Sequence, residues 1–348
     1  MPMTPGKRWG LRRLADPTGR FRMLAADQRP PIFQAIARAY GIAPEAVPFA
    51  EVCAVKRLLV EELGPHADAV LLDPNFAYPA AIDALPACTG LILTLEEHRF
   101  EETPGGRRSR SIPGWDVGRI KRLGADGVKV LAWYRPDAAP EILAHQRAYV
   151  RAVGRDCAAL DIPFILELLV YPFPGEAAHH ADYAEDAAKQ AALVLESVRH
   201  FAAPEFGVDL FKLECPLPAA ALPAPEDAAG CDRLRSLFAS MAEATGGRPW
   251  VMLSAGAAPE QFLRVLEFAY AAGASGFLAG RAIWWQALQD WPDAERCRAR
   301  LRSEALPYLR ALSELTTRAA RPADLAGPGL AGIAREGDFV ASIAPLGT

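Results

Sequence analysis

The sequence predicts an α/β fold, a (β/α)8 or TIM barrel, from three observations. Eight short apolar runs alternate with longer segments of helical periodicity. The runs lack the strict polar alternation of half-exposed strands, which is typical of parallel strands buried on both faces. Gly124 and Gly273 each separate a helical segment from the next apolar run, where a left-handed helix terminus favours glycine. Eight strands with intervening helices in about 260 residues fit the size of such a barrel.

The predicted strands are the apolar runs, taken in chain order. They are Phe21–Ala26, Ala69–Leu72, Gly90–Leu95, Gly127–Tyr134, Phe164–Tyr171, Val208–Cys215, Trp250–Ala255 and Ser275–Ala279. Predicted helices between them include Phe49–Leu63, Pro140–Leu160, Glu185–Phe201, Leu234–Ala244 and Gln261–Ala272. An open, doubly wound sheet is the alternative fold, but no G-x-G-x-x-G turn follows the first strand.

Two segments lie outside the predicted barrel of residues 21–290. Residues 1–20 form an N-terminal arm, and residues 291–348 form a C-terminal extension with helical and irregular parts. Because the extension becomes rich in proline and glycine, we expect it to pack on the barrel rather than to fold as a second domain.

Composition and charge restrict the class of protein. The apolar share of 51% in 348 residues is enough for one large core. The net charge of −4 arises from mixed acidic and basic residues, not from the clustered basic face that binds nucleic acid. The most apolar run, from Ile162 to Phe173, is too short to span a bilayer. Six dispersed cysteines indicate free thiols, so we expect a soluble, cytoplasmic protein.

The carboxyl ends of the strands carry the candidate functional residues, because TIM-barrel enzymes place their reacting groups there. In strand order, these residues are Asp27, Gln28, Arg29, Asp73, Glu96, Glu97, Lys129, Glu167, Lys212, Glu214, Ser254, Gly256, Gly280 and Arg281.

Three of these charges, Lys129, Glu167 and Lys212, stand inside apolar runs on consecutive strands. A single buried charge would most simply indicate a structural ion pair, but three on adjacent strands favour a reaction site. A lysine attacks a carbonyl only as the neutral amine, which requires its pKa to fall from about 10.4 to about 7–8. A second ammonium about 4 Å away, at an effective dielectric constant of about 20, supplies repulsion of roughly the required size. Lys129 beside Lys212 therefore indicates Schiff-base chemistry, with Glu167 transferring protons.

The last two strands carry a signal for phosphate. Ser254-Ala-Gly256 and Gly280-Arg281 fall where many barrels bind phosphate through backbone N–H groups and an arginine. On neighbouring strands, the two motifs together indicate a phosphorylated substrate.

Two other groups of residues carry a weaker signal. Arg107, Arg108 and Arg110 follow the third strand in a glycine-rich stretch, which predicts a flexible basic loop more simply than a cover for a second anion. His179 and His180 have no further ligand at zinc-site spacing, so we expect neither a metal nor a cofactor.

Seven motifs or pairs of motifs occur in a defined order along residues 7–290. They are Ala26-Asp-Gln-Arg29, Glu61-Glu-Leu-Gly-Pro65 with Leu71-Leu-Asp-Pro74, Gly124-Ala-Asp-Gly-Val-Lys-Val130 with Tyr134, Phe164-Ile-Leu-Glu167, Phe206-Gly-Val-Asp-Leu-Phe-Lys-Leu-Glu-Cys-Pro216, Leu253-Ser-Ala-Gly256 and Gly280-Arg-Ala282. In this order the chain resembles the tagatose 1,6-bisphosphate aldolase family, within the class I aldolase barrels. The resemblance implies that Lys212 forms a Schiff base with C2 of a ketose, assisted by Lys129 and Glu167.

The resemblance also implies how the substrate is held. Asp27 and Gln28 are similar to residues that contact substrate hydroxyls, and Ser254 and Arg281 to the pair that holds the dihydroxyacetone phosphate end. The remaining members of the expected substrate-binding set are Arg29, Asp73, Gly256 and Gly280. The expected reaction is cleavage of a ketose 1-phosphate or 1,6-bisphosphate, such as tagatose 1,6-bisphosphate, to dihydroxyacetone phosphate and an aldehyde such as glyceraldehyde 3-phosphate.

Alternatives remain at the aldehyde end. Trp133-Tyr-Arg-Pro136 and Pro172-Phe-Pro-Gly175 depart from the family pattern, so an enzyme for 6-deoxy-6-sulfofructose 1-phosphate stays open, as does the choice between tagatose and fructose. Two other functions are less well supported by the sequence. A deoxyribose-phosphate-type aldolase would carry Thr-Ser-Thr-Gly after its lysine, where this chain has Leu213-Glu-Cys-Pro216. A non-catalytic phosphosugar-binding barrel would not require both lysines and Glu167.

The expected partners are a phosphosugar and further copies of the chain in a homo-oligomer, without nucleic acid or membrane.

Overall fold

Eight parallel strands close into a barrel, as predicted. The computed structural model describes residues 3–177, 179, 186–326, 334–341 and 343. Ten strands lie in this part of the chain: β1 (Phe21–Ala25), β2 (Ala69–Leu72), β3 (Gly90–Thr94), β4 (Glu101–Thr103), β5 (Gly106–Arg108), β6 (Gly127–Trp133), β7 (Phe164–Leu169), β8 (Leu210–Leu213), β9 (Trp250–Met252) and β10 (Gly276–Ala279). The barrel order is β1-β10-β9-β8-β7-β6-β3-β2, and β1 also pairs with β2, which closes the ring.

The strand predictions are confirmed, with shorter ends on the later strands. β2 has the predicted bounds, whereas β9 ends three residues before the predicted Ala255. The physical reason is the backbone at Ala255, whose φ of 49° takes the chain out of the extended conformation. The apolar run continues beyond the strand because the residues that follow it, Leu253 among them, are still buried.

Thirteen helices lie in the described part of the chain. They are α1 (Pro5–Leu14), α2 (Pro30–Tyr40), α3 (Phe49–Leu63), α4 (Ala77–Ala81), α5 (Val117–Arg122), α6 (Pro140–Ala159), α7 (Ala191–Phe201), α8 (Ala228–Ala244), α9 (Pro259–Ala271), α10 (Arg281–Trp284), α11 (Ala294–Arg300), α12 (Leu306–Ala319) and α13 (Asp338–Ala341). The left-handed glycines are confirmed, with φ of 86° at Gly124 and 97° at Gly273. α8 begins six residues before the predicted Leu234, because Asp227 caps its first turn by accepting a hydrogen bond from Gly230 N at 2.9 Å. Glu185, the predicted start of α7, lies outside the described residues.

The N-terminal segment closes one end of the barrel. Leu11 and Leu14 of α1 are fully buried against Phe21 and Met23, which face the barrel interior. Lys7 forms a buried ion pair of 2.7 Å with Asp209, the residue before β8. α1, which lies within the predicted N-terminal arm of residues 1–20, therefore packs into the apolar cluster at this end of the barrel.

The C-terminal helices pack on α3. Leu309 and Leu312 of α12 are fully buried in the main core. A π-helical turn over Leu301–Ala305 joins α11 to α12, and Arg302 on this turn lies 2.6 Å from Glu62 of α3. Arg298 of α11 contacts the same carboxylate. These ion pairs and apolar contacts fix the described start of the C-terminal extension to the barrel wall.

The described helices and the cysteines agree with the sequence predictions. Within the described ranges, every helix is too short or too polar to cross a membrane. All six cysteines are described, and none of them forms a disulfide, which agrees with the predicted free thiols.

The predicted flexible basic loop after β3 is wrong. Its residues form an antiparallel hairpin of β4 and β5, in which Glu102 pairs with Arg107. Backbone hydrogen bonds from Glu97 N to Arg110 O and from Ile112 N to Leu95 O, both 2.8 Å, hold its base. Arg107 is fully buried among the rings of Phe100, Trp133 and Tyr171, which composition alone could not reveal.

Candidate active site

The three charges predicted to lie inside the barrel meet at its carboxyl-terminal mouth. Lys129, Glu167 and Lys212 stand on the neighbouring strands β6, β7 and β8, and Glu167 is the register partner of Lys212. Their exposed fractions are 0%, 1% and 3%. Alternate residues of a barrel strand point inward, so the regular pairing of these strands brings the three side chains together.

One carboxylate oxygen connects the two lysines. Nζ of Lys212 lies 2.9 Å from Oε2 of Glu167, and Nζ of Lys129 lies 2.7 Å from the same oxygen. The two amines are therefore no farther apart than the sum of these distances. A proton can pass from either lysine to Glu167 without movement of the backbone.

The surroundings of Lys129 differ from the expected arrangement. Nζ of Lys129 also contacts Glu96 Oε1 at 2.5 Å and Asp27 Oδ2 at 3.3 Å, so three carboxylates surround it. A buried ammonium requires this compensation. The positive charge of Lys129 is therefore compensated by these carboxylates.

Asp27 lies beside the same cluster and keeps hydrogen-bonding capacity. Burial raises the pKa of Asp27, but the nearby charges of Lys129 and Lys212 outweigh it, and the pKa of the carboxyl lies below its usual range. Among the described residues, Asp27 Oδ1 and Gln28 Oε1 are buried and have no hydrogen-bond partner. Buried polar atoms of this kind are rare in native proteins, and a substrate with hydroxyl groups would satisfy them.

A cleft that we call the far cleft opens on the β1, β3 and β6 side of Lys129. Its lining residues are Asp27, Gln28, Arg29, Pro30, Pro31, Glu96, Glu97, His98, Leu131 and Trp133. Arg29 donates from Nη2 to the Glu96 carbonyl at 2.9 Å, while its buried Nε has no partner within the described chain. Burial raises the pKa of Glu97, but the neighbouring His98 outweighs this effect and lowers it to about 2.

A second cleft, the near cleft, opens on the β8, β9 and β10 side of Lys212. Its lining includes Gln28, Glu167, Lys212, Ser254, Ala255, Gly280 and Arg281. Ala255 and Gly256 have successive positive φ values of 49° and 86°. A positive φ at alanine is strained, and such strain concentrates at functional sites.

Backbone conformation favours glycine at position 256 of this region, and close packing requires it at position 280. A Cβ at Gly256 would lie 3.7 Å from the guanidinium carbon of Arg281, which places the Arg281 side chain over this turn. A Cβ at Gly280 would lie only 2.4 Å from the Ala25 carbonyl oxygen, so any larger residue would displace β1. The predicted phosphate motifs of β9 and β10 are therefore adjacent in space.

Asp73 does not join the site, in contrast to the prediction. It is fully buried in a 2.5 Å ion pair with Lys56 of α3. Its Oδ1 also accepts hydrogen bonds from the backbone N–H groups of Asn75 and Phe76, at 3.1 and 2.7 Å. These contacts occupy the carboxylate, so the position of Asp73 at a strand end has a structural cause.

Lys56 was not predicted as a functional residue, but it contacts the backbone on both sides of Asp27. Its Nζ donates to the carbonyl oxygens of Ala26 and Gln28, both at 2.8 Å, on either side of Asp27. The sequence holds a signal for it, because Lys56 lies four residues from both Val52 and Val60 on the buried face of α3.

A further buried ion pair adjoins β8. Lys189 lies 2.9 Å from Glu214, two residues beyond Lys212, and Glu214 Oε1 accepts a hydrogen bond from Val170 N at 2.8 Å. This pair ties the end of β7 to the end of β8. His179 lies 3.6 Å from Glu102, and His180 lies outside the described residues.

The chain is similar in sequence to known aldolases. A family model described as DeoC/LacD family aldolase matches residues 23–286. The tagatose 1,6-diphosphate aldolase of Lactococcus lactis is 31% identical over 329 residues, which cover 92% of this chain and 98% of that protein. Tagatose 1,6-diphosphate aldolase 2 of Enterococcus faecalis is 32% identical over 328 residues, covering 90% of this chain and 95% of that protein.

Solved structures share the barrel. An archaeal fructose 1,6-bisphosphate aldolase is 20% identical, with a TM-score of 0.55, and covers 89% of this chain and 98% of its own. The fructose-bisphosphate aldolase of Plasmodium falciparum is 14% identical, with a TM-score of 0.65, and covers 91% of this chain and 96% of its own. At such identities the likeness concerns the fold.

Proposed function

Because the chain belongs to the DeoC/LacD family of aldolases, we propose that it catalyses a reversible retro-aldol cleavage through a Schiff base on Lys212. The substrate is a ketose 1-phosphate or 1,6-bisphosphate of the tagatose 1,6-bisphosphate type. The products are dihydroxyacetone phosphate and an aldehyde, which is glyceraldehyde 3-phosphate for the bisphosphate. The observation that carries the proposal is the pair of buried lysine amines, 2.7 and 2.9 Å from one oxygen of Glu167.

The first half of the reaction forms the Schiff base. Lys212 transfers a proton to Glu167 and attacks C2 of the ketose as the free amine, which gives a carbinolamine. Glu167 then returns that proton to the carbinolamine hydroxyl, which leaves as water. An iminium ion on Lys212 and an ionised Glu167 remain.

The second half breaks the carbon–carbon bond. Glu167 accepts the proton of the C4 hydroxyl while the C3–C4 bond breaks, and the electron pair of that bond is delocalised into the iminium as an enamine. The aldehyde departs. Protonation of C3 and hydrolysis then release dihydroxyacetone phosphate and restore the lysine.

The two clefts fit the two halves of such a substrate. Ser254, Gly256, Gly280 and Arg281 hold the C1 phosphate in the near cleft. Asp27, Gln28 and Arg29 hold hydroxyl groups and the aldehyde half in the far cleft. The buried polar atoms of Asp27 and Arg29 that have no partner in the described chain lie at the far cleft and support this orientation, while Gln28 lines both clefts.

Trapping of the intermediate tests the proposal. Incubation with dihydroxyacetone phosphate and borohydride should add the mass of the reduced adduct at Lys212, and Lys212→Met should abolish it. EDTA should leave the activity unchanged. An adduct on another lysine would overturn the assignment of the nucleophile, and loss of activity with EDTA would favour a metal-dependent reaction.

A sulfonated substrate is the second candidate for the aldehyde end. Both departures from the family pattern meet in space, because the guanidinium carbon of Arg135 lies 3.8 Å from the ring centroid of Phe173. A panel of tagatose 1,6-bisphosphate, fructose 1,6-bisphosphate and 6-deoxy-6-sulfofructose 1-phosphate compares the candidates by kcat/KM. The largest value identifies both the configuration at C4 and the group at C6.

We also propose that the enzyme works in the cytoplasm as a homo-oligomer and without nucleic acid. Exposed apolar side chains on and beside α2 and α3, those of Tyr40, Ile42 and Phe49, support self-association. Sedimentation velocity of the unmodified protein and of Phe49→Asp measures it. A monomer at micromolar concentration would contradict this part of the proposal.

A further inference from the structure

Arg107 of the hairpin is a buried cation enclosed by aromatic rings. It has no exposed surface, and its guanidinium carbon lies 4.1 Å from the ring centroid of Phe100, 4.8 Å from that of Trp133 and 4.9 Å from that of Tyr171. Its Nε lies 3.4 Å from Glu102, its register partner on β4. We call Arg107 and these three rings the aromatic cluster.

The approach of the hairpin to the barrel is specific. Arg107 N donates to the Tyr171 hydroxyl at 2.9 Å. Gly106 has a φ of 134°, and a Cβ there would lie 2.4 Å from the same hydroxyl. Glycine thus permits a contact that any other residue would prevent.

Burial of a guanidinium costs hydration free energy that an apolar side chain of similar volume would not lose. Burial lowers the pKa of Arg107 even though Glu102 lies close, which reflects the loss of hydration. A leucine or methionine would fill the volume without that cost. What arginine adds is a planar cation, which fixes the orientation of the rings stacked around it.

Trp133 connects the aromatic cluster to the site. It lies on β6 four residues beyond Lys129 and lines the far cleft together with Leu131. Its backbone is held separately, since Trp133 N donates to Ser109 Oγ at 3.3 Å and Trp133 O accepts from Gln146. The ring that faces the far cleft is therefore oriented by Arg107 and by Phe100, whose centroid lies 5.2 Å away.

We propose that Arg107 is a positioning residue that sets specificity for the aldehyde half of the substrate, by fixing the Trp133 ring at the wall of the far cleft. The inference rests on the proposed function, because it assigns the aldehyde half to that cleft. Trp133 lines the far cleft, whereas Leu169 and Leu253 of the near cleft only share an apolar cluster with this ring. We therefore expect the dihydroxyacetone phosphate half to depend on Arg107 less than the aldehyde half does.

Separate measurements on the two halves test this role. Arg107→Met keeps the apolar volume, and Arg107→Lys keeps the charge without the planar group. In both variants we expect borohydride trapping of dihydroxyacetone phosphate on Lys212 to match the unmodified protein within about twofold, while KM for the aldehyde in the condensation direction rises about tenfold. Discrimination between aldehydes with and without an anionic group should fall. Arg108→Met, on the neighbouring and partly exposed side chain, is the matched control and should change neither value.

The outcomes separate this inference from the function on which it rests. Absence of any adduct in the unmodified protein would overturn the proposed function. A normal adduct together with an unchanged KM for the aldehyde, or equal losses in both halves, would overturn the role of Arg107. If Arg107→Met does not fold by circular dichroism, Trp133→Phe makes the same comparison, and an unchanged aldehyde KM there would refute the proposal.

Discussion

Nζ of Lys212 lies 2.9 Å from Oε2 of Glu167, on the side of the barrel where the near cleft opens. Lys129 contacts the same oxygen from the other side but is also held by Glu96 and Asp27. In the proposed reaction, this asymmetry gives the two lysines different tasks. Lys129 would keep the carboxylates in place, and Lys212, which lines the near cleft, would attack the carbonyl carbon.

Glu167→Gln should separate binding from cleavage. Because the amide cannot exchange a proton with Lys212, we expect kcat for cleavage to fall by about 10²- to 10⁴-fold. Adduct trapping at Lys212 should persist after longer incubation, since the nucleophile is intact. Steady-state kinetics and mass spectrometry measure the two effects, with Glu205→Gln on the exposed surface as the control. An unchanged kcat would remove Glu167 from the reaction.

Arg281→Met should weaken binding of the phosphate end. Loss of a charge-assisted hydrogen bond to phosphate predicts a rise of about 10- to 100-fold in KM for phosphorylated substrates, with a smaller effect on kcat. Inorganic phosphate should inhibit the unmodified protein competitively and the variant much less. Arg296→Met, on an exposed side chain, is the reference. Equal inhibition of both proteins by phosphate would place the phosphate elsewhere.

Lys56→Met should destabilise the fold more than removal of the whole ion pair. The single change leaves Asp73 buried without its cation, which predicts a loss of about 3–5 kcal/mol in the free energy of unfolding. Lys56→Met combined with Asp73→Asn should recover part of that loss, because the amide still accepts the hydrogen bonds of the following turn. Urea denaturation measures both variants. Equal instability of the single and double variants would show that the carbonyl contacts of Lys56 dominate.

Asp27→Asn should lower stability in a pH-dependent manner. The pKa of Asp27 in the folded protein lies below its ordinary value of 3.8, so the ionised form favours folding above that pH. The difference in unfolding free energy between the two proteins should therefore be constant near neutrality and shrink as the pH falls below 3.8. Urea denaturation between pH 7 and pH 3 follows it, with exposed Asp232→Asn as the surface reference. A difference that grows on acidification would contradict the sign.

The barrel and the meeting of three buried charges at its mouth could be predicted because both depend on regular geometry. Parallel barrel strands are buried on both faces and therefore appear as apolar runs, and a charge within such a run lies in the interior of the protein. Lys129, Glu167 and Lys212 were found in this way. The same rule misplaced Asp73, since it specifies where a strand ends but not whether a helix presents a counterion such as Lys56.

The hairpin of β4 and β5 could not be predicted from the sequence. Glycine and arginine indicate a solvated loop by composition, but Arg107 is buried by Trp133 on β6 and by Tyr171, two residues beyond β7. Such contacts depend on how distant parts of the chain pack. The compensation of Lys129 by Glu96 and Asp27 is of the same kind.

α1 closes the end of the barrel opposite the carboxyl-terminal mouth, and this restricts the route by which protons can reach Lys212 and Glu167. Between α1 and the lysine pair lies an apolar layer that includes Phe21, Met23, Ile165 and Leu210, all fully buried in the described structure. Such a layer conducts neither water nor protons. In the proposed reaction, protons and water therefore reach Lys212 and Glu167 through the carboxyl-terminal mouth. A bound substrate that fills this mouth isolates the pair until the aldehyde departs and admits the water of hydrolysis.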